Sequence, residues 1–159
     1  MMNPSTPGAA AEALLHTDET FEFRVEAPPR AAFELFGAER EREWAPGWSP
    51  RFFWPAPAQD RAGMVFAVEH AGQSAIWVNS AFDPDAGHVQ YVYVLPAVVA
   101  TLIDIRVAPE GAGTRVQVRY ERTALSEGAQ ERVAHLAAHD RSAGPEWSHH
   151  IAQALAARH

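Results

Sequence analysis

The sequence predicts one α+β domain, and three observations lead to that prediction. The 159 residues suffice for a single hydrophobic core with room for a cavity. Apolar and polar residues alternate with a period of two in residues 20–26 and again in much of residues 51–124, which predicts antiparallel strands. After residue 126 the apolar residues recur with a helical period, which predicts a helical C-terminus.

The chain is expected to divide into a short arm and one domain. Residues 1–16 are rich in Ala, Pro and Ser and show little periodicity, which predicts a loose arm or a short helix around Ala9–Leu15. The domain is expected to span residues 17–159. The sequence indicates neither an internal repeat nor a second domain.

The domain is predicted to begin with a strand and two short helices. The strand is indicated by apolar residues that alternate with charged ones, namely Phe21, Phe23 and Val25. Pro29 suits the first turn of a helix, and Gly37 is expected to end that helix. A second short helix is expected over residues 38–44, before a proline-rich connection.

The rest of the domain is predicted to be a meander of six strands followed by helix. The strands are expected at residues 51–54, 63–70, 74–82, 88–95, 98–107 and 114–123. Turn-forming residues separate them, which is typical of an antiparallel sheet. In the helical C-terminus, the sequence SAGP at residues 142–145 is expected to interrupt or kink the helix, because proline cannot donate a helical hydrogen bond.

Composition excludes several classes of function. The formal net charge of −7 argues against binding to nucleic acid or to an anionic membrane, both of which require clustered cations. All 13 basic residues are Arg and Cys is absent, so Schiff-base, thiolate and disulfide chemistry are excluded. No stretch approaches the roughly 20 apolar residues of a membrane span. We therefore expect a cytoplasmic protein without membrane insertion, and no cofactor.

Five stretches of sequence resemble a known superfamily. They are VEAPPRAAFELF, EREWAPGWSP, GMVF, IWVNSAFDP and GTRVQVRYERTALSEG. Together with the order of predicted elements, they resemble the polyketide cyclase/dehydrase-like branch of the SRPBCC (START/Bet v 1-like) superfamily, from about His16 to Arg158. The resemblance implies a helix-grip fold, in which a curved antiparallel sheet wraps around a long C-terminal helix, with a cavity between them. These stretches mark structural landmarks and carry no catalytic signature.

Strand parity selects candidate residues for the cavity wall. The residues predicted to face inward, and to bind a ligand by stacking and a few polar contacts, are Trp77, Asn79, Tyr91, Tyr93, Thr101 and Tyr120. The alternative is that these aromatic residues simply fill the core. Trp48 is a candidate for the mouth of the cavity, and Trp44 is expected to anchor the second helix to the sheet.

Several titratable residues are weaker candidates for chemistry. His70 shares the parity of Phe66 and can face the cavity near its rim as a general base, or it is a solvated residue at a strand end. The spacings of His135 with His139 and of Glu146 with His149 permit a metal ligand pair, but a zinc site needs three or four ligands, so no metal is predicted. The glutamates in residues 39–43 have the pattern of a solvated helix face.

The favoured function is binding of a small hydrophobic or aromatic molecule in an internal cavity. One alternative is a polyketide cyclase/dehydratase-like or hydrolase-like enzyme in which His70 or a tyrosine moves a proton. Another is a co-chaperone-like module that binds proteins. The sequence predicts neither the identity of the ligand nor the oligomeric state.

Overall fold

The computed structural model describes residues 13–158 and shows a seven-stranded antiparallel sheet with three α-helices. The strands are β1 (His16–Val25), β2 (Arg51–Trp54), β3 (Val65–His70), β4 (Gln73–Asp83), β5 (His88–Leu95), β6 (Val99–Glu110) and β7 (Gly113–Ala124). The helices are α1 (Pro29–Glu34), α2 (Gln130–Arg141) and α3 (Gly144–Ala156). Short 3-10 helices lie at Arg40–Glu43 and Glu127–Ala129. The predicted α+β class is confirmed.

The sheet is a meander closed at one edge by the first strand. Its order is β1-β7-β6-β5-β4-β3-β2, so β2 to β7 follow the chain and β1 returns to pair with β7. The antiparallel register places Trp77, Tyr93, Thr101 and Arg122 opposite one another in a row across β4, β5, β6 and β7. These four side chains therefore share one face of the sheet.

The inward parity predicted for the strands is confirmed by burial. Phe21 and Val25 of β1 are buried, as are the inward residues of β5 and β6, while the alternate positions are more exposed. β1 begins at His16, one residue before the predicted start of the domain. Residues 1–12 of the predicted arm lie outside the described part of the chain, so the domain limits stay a prediction.

The helices differ in detail from the sequence prediction. The first helix ends at Glu34, three residues before the predicted end at Gly37. The second is a single 3-10 turn. The C-terminal helix is divided into α2 and α3, which confirms the interruption expected at residues 142–145 and corrects the single long helix implied by the resemblance. Pro145 accounts for the break, since it has no N–H to donate to Arg141.

The helices cover only part of the concave face of the sheet. Both α2 and α3 pack against β1, and α2 also packs against β7. The segment that follows α1, residues 38–48, lies over the other half, where Trp48 contacts Phe66 and Trp77 edge-on. A gap remains between this segment and α3. Within residues 13–158, none of the helices has the length and apolar content that crossing a membrane requires.

Candidate functional site

A cavity of about 220 Å³ lies in the gap between the sheet, residues 41–48 and α3. Its walls are formed by Glu41, Trp44, Ala45, Pro46, Trp48, Trp77, Tyr91, Ile103, Ile105, Tyr120, Glu146, Trp147 and His150. Pro46 and Glu146 are exposed, whereas Tyr91, Ile103 and Ile105 are buried, so the cavity runs from an open mouth down to the sheet.

Two tryptophans hold in place residues 38–48, which form the cover of the cavity. Trp44 Nε1 donates to the carbonyl oxygen of Leu35 at 2.6 Å, and Trp48 Nε1 donates to that of Ala38 at 2.7 Å. The first bond ties residues 38–48 to Leu35 at the end of α1, and the second joins the two ends of the segment. The predicted anchoring role of Trp44 agrees with this geometry, and both rings also line the cavity.

The turn before the cover is fixed by Asp60. Its Oδ1 accepts the backbone N–H of Glu39 at 2.9 Å. The carboxylate occupies the space that a side chain at position 37 would need, so Gly37 allows this close approach. On the same turn, the hydroxyl of Tyr91 donates to the carbonyl oxygen of Phe36 at 2.6 Å. The Tyr91 hydroxyl is therefore committed to the backbone.

Aromatic rings form the floor and one side of the cavity. Trp77 stacks on Tyr93, with ring centroids 4.3 Å apart, and on Phe66 at 5.6 Å. On the opposite side, Trp147 of α3 contacts Trp44 at 5.1 Å. Such mutually packed rings lose little freedom when a planar molecule stacks on them.

At least three polar groups of the wall lack a hydrogen-bond partner within the described residues, and one of them is the buried Nε1 of Trp77. The carboxylate of Glu41 and the hydroxyl of Tyr120 make no hydrogen bond there. Burial raises the pKa of Glu41 well above its ordinary value, and the nearby Asp60 carboxylate raises it further. Burial also raises the pKa of Tyr120, against the opposing effect of Arg122. A half-buried carboxyl group and a hydroxyl group are thus available to a ligand.

The charge in the cavity is negative. Its lining in the described chain contains Glu41 and Glu146 but no arginine, and the protein has no lysine. Arg122 lies against the Tyr120 ring, 4.6 Å from its centroid, but its guanidinium is paired with Asp140. Within the described residues the wall therefore offers an acidic ligand no free guanidinium or ammonium group, and its basic side chain is the imidazole of His150.

Four of the eight residues predicted for the site line this cavity: Trp48, Trp77, Tyr91 and Tyr120. The structure places the other four outside it. Asn79 lies at a bulge where β4 pairs with β5. With the side-chain amide nitrogen turned toward two backbone carbonyl oxygens, Asn79 donates to that of Gln90 at 3.1 Å and to that of Ala81 at 2.6 Å. Its amide nitrogen is therefore used in hydrogen bonds to the backbone.

Tyr93 and Thr101 belong to a second polar cluster beside the cavity. Arg122 Nη1 donates to the Tyr93 hydroxyl at 2.7 Å and to Thr101 Oγ1 at 3.3 Å. Parity placed both residues on the correct face, but the buried Arg122 takes up their oxygen atoms. Their placement in the cavity wall is corrected accordingly.

His70 also lies away from the cavity. Its ring stacks on Tyr93 and Trp77, with centroids 5.1 Å and 6.1 Å away. Burial, Arg132 and Arg122 lower the pKa of His70, and its buried Nε2 has no partner in the described chain. Because His70 stacks on Trp77, which lines the cavity while His70 does not, the position of His70 does not suit the predicted role of a base at the rim.

Among the polar and aromatic residues of the wall, the ligand-binding candidates from the sequence did not include Glu41, Trp44, Glu146, Trp147 and His150. Helical spacing was the overlooked signal. Glu146 stands four residues before His150, so both lie on one face of α3. The interpretation of residues 39–43 as a solvated face is wrong for Glu41, which turns toward the cavity.

Metal ligation has no cluster to support it in the part of the chain that the structure describes. Among residues 13–158, no three His, Asp or Glu side chains converge on one point. The two segments considered from the sequence do meet, since His139 Nε2 lies 3.7 Å from Glu146 Oε2, but both side chains are exposed.

Comparison with solved structures identifies the fold. Norcoclaurine synthase from Thalictrum flavum superposes with a TM-score of 0.68 at 12% identity, over 100% of this chain and 99% of that one. An uncharacterised protein from Rhizobium leguminosarum superposes with a TM-score of 0.63 at 15% identity, over 89% of this chain and 97% of that one. Major latex-like protein 151 from Panax ginseng superposes with a TM-score of 0.62 at 14% identity, over 91% of this chain and 98% of that one. No family model and no curated protein sequence matches the chain. The structural matches show the fold: this chain has a helix-grip fold, with a curved antiparallel sheet and C-terminal helices, as these proteins do.

Proposed function

We propose that the protein binds a small hydrophobic or aromatic molecule in the cavity between residues 41–48 and α3. The observation that carries the proposal is the combination of aromatic walls with polar groups, among them Glu41 and Tyr120, that lack a partner in the described chain. Ligand sites are usually concave and apolar, with a few polar groups that orient the ligand. We further propose that a single domain of residues 17–159 carries this function, in the cytoplasm.

The intrinsic fluorescence of the protein suits a binding assay. Four of its five tryptophans line the cavity, and the fifth, Trp54, is exposed on β2. We expect the neutral fluorophore prodan to quench the cavity tryptophans by energy transfer and to gain emission itself. In Trp54→Phe the quenched fraction should rise, because the background signal is lost.

A matched pair of variants locates the bound probe. Ala45→Phe adds a ring at the mouth of the cavity, whereas Ala112→Phe adds the same ring at an exposed turn between β6 and β7. We expect Ala45→Phe to weaken prodan binding about tenfold or more, which corresponds to about 1.4 kcal/mol, and Ala112→Phe to bind as the parent does. Equal binding by both variants would place the probe elsewhere, and no binding to any of the proteins would favour a co-chaperone-like role.

A second function is favoured by the carboxyl group of Glu41. Because burial raises its pKa, this group takes up a proton more readily than an ordinary glutamate and can exchange it with a bound molecule. In the polyketide cyclase/dehydratase-like alternative, Glu41 therefore replaces His70 as the proposed acid and base. The test is turnover of a molecule that the protein retains. Turnover that Glu41→Gln abolishes and His70→Gln preserves supports this role.

A further inference from the structure

The charged groups around the cavity restrict what it can accept. Glu41 lines the wall without a cationic partner in the described chain, and Glu146 stands at the mouth. Asp60 adds a third carboxylate behind Glu41, where its charge contributes to the raised pKa of Glu41. A ligand carboxylate would enter among groups of its own sign with no arginine to receive it, which costs free energy in an enclosed site.

The aromatic rings of the cavity favour the opposite charge. The faces of indole and phenol rings carry negative potential, so a cation placed over them is attracted. Six such rings contribute to the wall: Trp44, Trp48, Trp77, Tyr91, Tyr120 and Trp147. The protein already uses this attraction at Arg122, whose guanidinium carbon lies 4.6 Å from the centroid of Tyr120.

We infer that the cavity selects an organic cation, namely an apolar or aromatic molecule with a protonated amine whose ammonium group pairs with Glu41. The apolar part of the molecule stacks on the rings near Trp77, and the ammonium group lies toward residues 41–48. This inference rests on the proposed binding function and names the chemical class of its ligand. The ammonium group supplies the positive partner that Glu41 lacks, and charge-assisted hydrogen bonds of this kind are stronger than neutral ones.

A series of ligands with one shape and three charges tests the inference. Cinnamylamine, cinnamyl alcohol and cinnamate differ at one end of the same planar molecule, and isothermal titration calorimetry at slightly alkaline pH gives their affinities. We expect the amine to bind about tenfold more tightly than the alcohol, as one charge-assisted hydrogen bond would allow, and cinnamate to bind more weakly than the alcohol.

Two variants test whether Glu41 causes the preference for the amine. Glu41→Gln keeps the shape of the side chain but removes its charge, so it should abolish the preference for the amine over the alcohol. Glu131→Gln, on the exposed face of α2, is the matched control and should keep the preference.

The outcomes separate this inference from the proposed function. Binding of the alcohol without a preference for the amine, or a preference that survives Glu41→Gln, would overturn the inference and leave the binding function standing. Failure of all three ligands to bind would count against both.

Discussion

The guanidinium of Arg122 in β7 lies side-on against the carboxylate of Asp140 in α2. Nε and Nη2 donate to the two carboxylate oxygens at 2.7 and 2.8 Å, and the two side chains are only 6% and 4% exposed. This ion pair joins α2 to the sheet, and the remaining Nη1 is taken up by Tyr93 and Thr101. The pair therefore fixes the first half of the divided C-terminal helix beside the cavity.

Removal of one partner of this pair should destabilise the protein strongly. Asp140→Asn leaves the charge of Arg122 buried without a counterion, which typically costs about 3–5 kcal/mol. Urea denaturation followed by circular dichroism measures the loss. Asp18→Asn, which breaks an exposed pair with Arg119, is the control and should have a much smaller effect. Equal losses of unfolding free energy in the two variants would show that the buried pair stabilises the protein no more than the exposed pair does.

Loss of the hydroxyl should reduce ligand affinity at Tyr120 and stability at Tyr93, although both tyrosines lie on one face of the sheet. Tyr120→Phe removes a group that is free to bind a ligand, so prodan or cinnamyl alcohol should bind about 2–10-fold more weakly while stability is kept. Tyr93→Phe removes an acceptor of Arg122 and should cost about 1–3 kcal/mol of stability with little effect on affinity. Titration and denaturation of both variants give the comparison, and a reversed pattern would refute the boundary between cavity and cluster.

Replacement of Glu41 should stabilise the protein at neutral pH. The pKa of Glu41 is raised in the folded state, so its stabilising contribution is complete below the ordinary glutamate pKa of about 4.3 and is lost as pH rises toward the folded pKa. Glu41→Gln avoids that loss. We expect its Tm to rise by about 2–4 °C at neutral pH, as about 1 kcal/mol would produce, and to match the parent in acid. A lower Tm at neutral pH would contradict the assigned environment.

Binding of an amine should strengthen as pH rises from acidic to neutral. Glu41 must lose its proton to pair with an ammonium group, and its raised pKa places that loss above the ordinary range. The other titratable groups of the cavity and its wall are Asp60, Tyr91, Tyr120, Glu146 and His150. Calorimetry with cinnamylamine across this range should show the dependence in the parent and in His150→Gln, and its absence in Glu41→Gln. A dependence that disappears with His150 instead would assign it to the imidazole.

The order of the elements was predictable because strand periodicity and turn residues are local signals. The parity of β5 and β7 correctly placed Tyr91 and Tyr120 inward, and both line the cavity. The same parity includes Arg122, which stands two residues after Tyr120 and is buried. A charged residue at an inward position indicates a buried partner, and Asp140, seven residues after Val133 on the apolar face of α2, is that partner.

The rest of the site depends on contacts between distant segments. Glu41 lies in a run of charged residues whose pattern predicts exposure, and its place in the wall depends on the packing of residues 38–48, to which the distant Asp60 contributes by accepting the N–H of Glu39. The place of His70 near the cavity was predicted from its strand parity alone. Parity does not reveal that the His70 ring stacks on Tyr93 and Trp77. Parity assigns a face of the sheet, whereas the position of a cavity along that face depends on which helices cover it.

The most direct measurement is native mass spectrometry of the purified protein after incubation with a cell extract. The parent, Ala45→Phe and Ala112→Phe are compared under conditions that preserve bound molecules. We expect the parent and Ala112→Phe to retain the same small molecule and Ala45→Phe to lose it, since only that variant adds a ring to the wall of the cavity. Equal retention by all three proteins, or no retained molecule in varied extracts, would contradict a ligand site in this cavity.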